Sequence, residues 1–128
     1  MAAGYEVLLV DDVADLRFML RLNLEESGRF RIVAEAANGL EGVELAREHQ
    51  PDLVLLDIAM PVRDGIEALP DIRAASPDSR VVVLSGFGEQ RYGPRALELG
   101  ASACVEKTLA PDALVARLVD VMESGLTP

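Results

Sequence analysis

Aromatic residues make up 4% of this 128-residue chain and tryptophan is absent, so its core has to be packed with Val, Leu, Ile and Ala. Cysteine occurs once, at Cys104. A lone cysteine excludes an internal disulfide and gives no sign of an oxidising compartment. Basic residues are few, with 12 Lys and Arg against 22 Asp and Glu and a net charge of −10. That balance argues against direct nucleic-acid binding by this chain, which needs clustered Lys and Arg. It does not exclude a DNA-binding partner domain. No apolar run approaches the ~20 residues needed to span a bilayer. The opening MAAGYEVLLV has no basic region followed by a long apolar stretch. Neither a membrane span nor a signal peptide is therefore expected, and the default location is the cytoplasm.

Half of the residues are apolar, enough for a single core. They fall into five short runs: Val7–Val10, Ile32–Ala34, Leu53–Leu56, Val81–Leu84 and Ala103–Val105. The first, third and fourth are continuous and rich in Val and Leu, as in parallel strands covered on both faces. The second, FRIVAEA, carries charge and suits an edge strand. Helical patterns separate the runs. Leu16, Met19, Leu20 and Leu24 recur at three- and four-residue spacing, with Gly28 placed to end the helix. Asn38 is placed to cap a helix over 39–49. Asp64-Gly65 opens a third, which stops before Ser76-Pro77. Gly93-Pro94 restricts a fourth to about Pro94–Leu99. A fifth carries Leu114, Val115, Leu118 and Met122, with Pro111 near its first turn. His49, the one histidine, falls at the end of the second helix, a place that favours a charged imidazole.

Five β-α repeats predict one α/β domain spanning 1–128, with its core at about 5–124. The expected architecture is flavodoxin-like, a parallel five-stranded sheet of order 2-1-3-4-5 with helices on both faces. A dinucleotide-binding fold is disfavoured, because the first strand-helix turn reads DDVADLR and lacks a glycine-rich loop.

Ligands of such sheets bind at the carboxyl ends of the strands. Those ends hold Asp11 and Asp12, Asp57, Ser85 and Lys107. Asp57 is the oddest, an acid directly after four aliphatic residues in LVLLDIAMP. A buried unpaired carboxylate is costly, so Asp57 either meets water at the lip of the core or has its charge compensated. Each residue alone has an ordinary explanation, such as a turn or cap for the acids and a solvated lysine for Lys107. Together they form a complementary set. Three carboxylates repel one another, and Mg²⁺ with its preference for oxygen ligands would relieve that. A carboxylate beside a metal can accept a phosphoryl group as an acyl phosphate.

The stretches LLVDDVADLR, EAANGLEGVELA, PDLVLLDIAMPVRDGIEAL, VVVLSGF and ALELGASACVEK, with the last helix, resemble the receiver domain of bacterial two-component response regulators over essentially the whole chain. The resemblance implies Asp57 as phosphoacceptor. It implies Mg²⁺, replaceable by Mn²⁺, held by Asp12 directly, by Asp11 mainly through water, by Asp57 and by the backbone carbonyl of Ala59. Ser85 and Lys107 would bind the phosphoryl oxygens. The implied donor is a sensor histidine kinase or a histidine phosphotransfer protein. The implied output is an effector or a linked output domain, with the fourth helix, fifth strand and fifth helix as the signalling face. That face includes Arg91, Tyr92, Arg95, Glu98, Glu106, Leu109 and Asp112, and a homodimer through it is a further implied partner. Such a domain is a self-phosphorylating and self-dephosphorylating switch and not a turnover enzyme.

The chain departs from the family at several places. Cys104 stands where an aromatic residue is usual, and Thr108 follows Lys107 where proline is usual. A cis bond before Thr would cost ~3 kcal/mol, so a trans bond is expected there. Cys104 reads as a small buried hydrophobe. Ala59 and Phe87 replace the polar residues of many relatives, which suggests a long-lived phosphoryl group. These departures keep a second class open, a pseudo-receiver acting as a phosphorylation-independent protein-binding module. A third class, a phosphatase with an aspartyl-phosphate intermediate, would need a second acid at the position of Ala59.

Overall fold

The computed structural model describes residues 4–58, 65–86 and 90–124. Strands and helices alternate as β1 (Tyr5–Val10), α1 (Ala14–Glu26), β2 (Phe30–Ala36), α2 (Gly39–His49), β3 (Leu53–Asp57), α3 (Gly65–Ala75), β4 (Arg80–Ser85), α4 (Gly93–Glu98), β5 (Ala103–Glu106) and α5 (Pro111–Ser124). A short 3-10 turn, Gln90–Tyr92, leads into α4. All strand pairs are parallel and the order is β2-β1-β3-β4-β5. The expected flavodoxin-like sheet is thus observed.

Side-chain alternation explains why the central strands are aliphatic throughout. Val7, Leu9, Leu53, Leu55, Val82 and Leu84 face one way, into a core shared with Leu20 and Leu24 of α1 and Leu114 and Leu118 of α5. Leu8, Val10, Val54, Leu56, Val81 and Val83 face the other, against Ala46 of α2, Ala68, Leu69 and Ile72 of α3 and Ala96 of α4. Every one of these strand residues is essentially inaccessible to water.

Local signals act as their residue types dictate. Asn38 accepts a hydrogen bond from the Glu41 N–H (3.0 Å), and the Glu41 carboxylate accepts one from the Ala37 N–H (2.8 Å). Both donors would otherwise be orphaned at the start of α2. Gly28 has φ +75°, the left-handed geometry that ends α1. Among the described residues no peptide bond is cis, so the Lys107–Thr108 bond is trans as expected. Met19 departs from the sequence reading. Its spacing placed it on the buried stripe of α1, but it is half exposed beside Phe18 and Leu22. The α1 stripe is narrow because Leu20 and Leu24 alone reach the fully buried core of that face, with Leu16 packed at its margin.

Gly65 is where α3 meets the end of β3. A Cβ there would sit 2.2 Å from the carbonyl oxygen of Asp57 and 3.0 Å from the Ile58 Cα. Its N–H also donates to the Ile58 carbonyl (3.1 Å). Backbone atoms cannot rotate away as a side chain could. Gly65→Ala is therefore expected to destabilise the domain by about 1–3 kcal/mol, the usual scale of overpacking. A urea unfolding curve measures it, and a midpoint within error of wild type would show that α3 can shift at no cost.

Candidate functional site at the carboxyl edge of the sheet

The hydrogen-bond ladder runs one residue past the strand ends and holds the backbone of the site. The Asp11 N–H donates to the Ala36 carbonyl (3.0 Å), the Ile58 N–H to Leu84 (3.1 Å) and the Lys107 N–H to Ser85 (2.8 Å). The alternation of the strands then sorts the side chains. Asp57 follows Leu53 and Leu55, and Lys107 follows Ala103 and Val105, all on the α1–α5 side of the sheet. The Lys107 ammonium meets the Asp57 carboxylate there, Nζ to Oδ1 at 2.7 Å. Ser85 falls on the opposite parity, with Val81 and Val83. Its hydroxyl accepts a weak hydrogen bond from the Cys104 thiol at 3.8 Å.

Of the two alternatives for Asp57, compensation is the one observed. The residue is 1% exposed and ion-paired, so it does not sit at the wet lip of the core. Lys107 is the chain's only lysine. Its side chain is 24% exposed, reaching from solvent to a buried acid. Asp11, Asp12 and Asp57 each bring a carboxylate oxygen within 4.8 Å of the others. Asp11 is as buried as Asp57, while Asp12 is exposed. Ser85 is buried at the next strand end. Ala59, together with Phe87, lies outside the described residues.

Asp11 Oδ1 accepts the Val13 N–H (2.9 Å). Its Oδ2 is the one buried side-chain oxygen or nitrogen among the described residues with no hydrogen-bond partner. Burial is the main cause raising the Asp11 carboxyl above its ordinary pKa. The Val13 N–H opposes the shift, the Asp57 charge adds to it, Lys107 opposes it and Asp12 adds to it. A cluster of three carboxylates with one oxygen buried and unpartnered fits a hard cation that takes oxygen ligands.

Three residues missed in the sequence, Arg17, Arg21 and Glu35, belong to this edge. Arg17 of α1 donates from Nη1 to the Asp11 carbonyl (2.6 Å) and from Nε to Glu35 of β2 (3.0 Å). Arg21 donates to the same carboxylate from Nε (2.8 Å). Burial raises the Glu35 carboxyl, but the hydrogen bonds from Arg21 and Arg17 outweigh it and hold it below its ordinary value. The usable signal was Arg17 closing the LLVDDVADLR stretch, one turn into the helix that follows the acids.

Such a fold, with acids, a hydroxyl and an ammonium gathered at one sheet edge, defines a class of signalling domain. The model for the response regulator receiver domain matches residues 7–119, and the chain belongs to that family, the receiver domains of two-component systems. The chemotaxis protein CheY of Halobacterium salinarum is 38% identical over 117 residues, covering 91% of this chain and 96% of that protein. A LuxR-family two-component response regulator from Aurantimonas superposes with a TM-score of 0.86 at 32% identity, covering 93% of this chain and 85% of the other. The CheX–CheY–BeF3–Mg complex from Borrelia burgdorferi gives 0.83 at 32% identity, covering 91% and 88%. No helix among the described residues is long and apolar enough to cross a membrane.

An acid whose folded-state pKa lies above its unfolded one weakens the fold at neutral pH. The penalty disappears as pH falls through the folded value toward the unfolded 3.8. In metal-free buffer, Asp11→Asn is therefore expected to raise stability at neutral pH by about 1 kcal/mol, the scale of one unsatisfied buried group. The gain should shrink on acidification. Urea titrations at neutral and mildly acid pH test this, and equal stabilities at neutral pH would contradict it.

Proposed function

We propose that this domain is a phosphoacceptor switch that takes a phosphoryl group onto Asp57 in a Mg²⁺-dependent reaction. The observation that carries the reading is the buried Asp57 carboxylate, paired with Lys107 and flanked by the two further acids. Mg²⁺, or Mn²⁺ in its place, would be held by Asp11, Asp12 and Asp57, with the Ala59 carbonyl as a further ligand. When bound it supplies charge neutralisation for an anionic phosphoryl group approaching an anionic acceptor. That a relative was solved with Mg²⁺ and BeF3 supports this choice of ion.

In the transfer, an Asp57 carboxylate oxygen forms a bond to phosphorus as the bond from phosphorus to the donor nitrogen breaks. The donor is a sensor histidine kinase or a histidine phosphotransfer protein. The product is an acyl phosphate. Lys107 already lies against the acceptor and would pair with a phosphoryl oxygen. The Ser85 hydroxyl would leave Cys104 and donate to another. The readout falls to the α4–β5–α5 face, where Tyr92 and Leu109 are exposed and Arg91 lies 4.8 Å over the Tyr92 ring. An effector, a linked output domain or a second copy would read that face. The domain works as a switch and not as a turnover enzyme, and it acts in the cytoplasm.

Intact mass after incubation with Mg²⁺ and a small acyl phosphate tests the reading. One added phosphoryl group (~80 Da), absent in Asp57→Asn, is expected. No gain from either the acyl phosphate or a histidine kinase would favour the pseudo-receiver. Once formed, the acyl phosphate is expected to last minutes or longer after donor removal, because Ala59 and Phe87 offer no polar group to position water. Decay within seconds, followed by the same mass measurement, would refute that lifetime.

A further inference from the structure

We propose that Arg17 is a positioning residue for the acidic cluster, clamping the Asp11 carbonyl so that Asp12 presents its carboxylate toward the divalent cation. The proposal rests on the Mg²⁺ reading above. Residues 11–13 lie between β1 and α1, outside regular structure. Asp11 is nevertheless held on both sides of its Cα. Its N–H is bound to Ala36 of β2 and its carbonyl oxygen to Arg17 Nη1 at 2.6 Å. The carbonyl belongs to the planar peptide that ends at the Cα of Asp12. Fixing that oxygen therefore fixes the peptide plane that leads into Asp12, and with it the N–Cα bond about which the exposed Asp12 side chain turns.

Arg17 is itself immobilised. Its Nε donates to Glu35, which Arg21 also grips, and its side chain is 18% exposed. A guanidinium suits this role because its rigid fork satisfies two acceptors at a set angle, which an ammonium cannot reproduce. The clamp thus joins the first turns of α1, the end of β2 and the loop that carries two of the three acids.

The sign of the effect separates positioning from simple charge. A cation near the cluster repels Mg²⁺, so if only the charge of Arg17 mattered, removing it would tighten metal binding. Positioning predicts the reverse. Because the chain has no tryptophan, Mg²⁺ binding is best followed by calorimetric titration of wild type, Arg17→Met, Arg17→Lys and Glu35→Gln. Met keeps the apolar stem, and Lys keeps the charge. Both are expected to weaken Mg²⁺ affinity about tenfold, as losing an outer hydrogen-bond partner of a metal site does. Glu35→Gln keeps one acceptor oxygen but removes the charge that holds both guanidiniums, and should weaken it less. In the phosphorylation assay the half-saturating Mg²⁺ concentration should rise while the rate at saturating Mg²⁺ stays near wild type. A general loss of structure would also lower the rate at saturating Mg²⁺. Unchanged or tighter binding in folded Arg17→Met, or full affinity in Arg17→Lys, would overturn the proposal. Should Arg17→Met not fold, Glu35→Gln decides by the same criterion, unchanged affinity counting against the clamp. If wild type itself takes up no Mg²⁺, the metal reading has failed and the proposal falls with it.

Discussion

The contact between the Lys107 ammonium and the Asp57 carboxylate allows a strand of four buried aliphatic residues to end in an acid. Removing one partner of a buried pair leaves an uncompensated charge, which costs far more than the pair contributes. The sheet supplies the geometry. β3 and β5 are not neighbours, since β4 lies between them. Equal side-chain parity brings the two residues to one side across that intervening strand. The placement of Asp57 against its counter-ion is thus inseparable from the strand order.

The same edge is a compromise between folding and chemistry. Two aliphatic cores, one on each face, leave the carboxyl ends of the strands as the place where polar side chains can gather without disrupting packing. Gathering three acids there raises the free energy of the metal-free fold, and the unpartnered Asp11 oxygen shows where. Lys107 offsets one charge, and the Val13 N–H satisfies one oxygen. What remains unsatisfied is the binding capacity of the site. A group that binds the folded state alone returns that free energy as stability.

Most of the fold was legible because its signals are local. Continuous aliphatic runs marked the doubly covered strands, FRIVAEA marked the edge, and Asn38, Gly28 and Gly93-Pro94 marked helix ends. The structure differs from these readings by a residue or two. The acids, Ser85 and Lys107 were legible once strand ends were assumed to meet. The burial and pairing of Asp57 were not, since an acid after LVLL fits a wet lip as well as a compensated core. Met19 misled because helical spacing names a face without saying how wide it is. Arg17 and Glu35 stayed hidden because their meeting is tertiary, eighteen residues apart. A charged strand residue reads simply as an exposed edge.

Lys107 has a consequence for the chain as a chemical object. The other eleven cationic side chains are guanidiniums, which do not lose their charge in proteins. Apart from the N-terminus, an amine-directed reagent finds a single target, and that target is the counter-ion of the buried acid. Acylation there would delete the positive charge of the site while leaving the charge of the rest of the surface as it was. The domain thus carries its own selective chemical handle at the one position where a lost cation matters most.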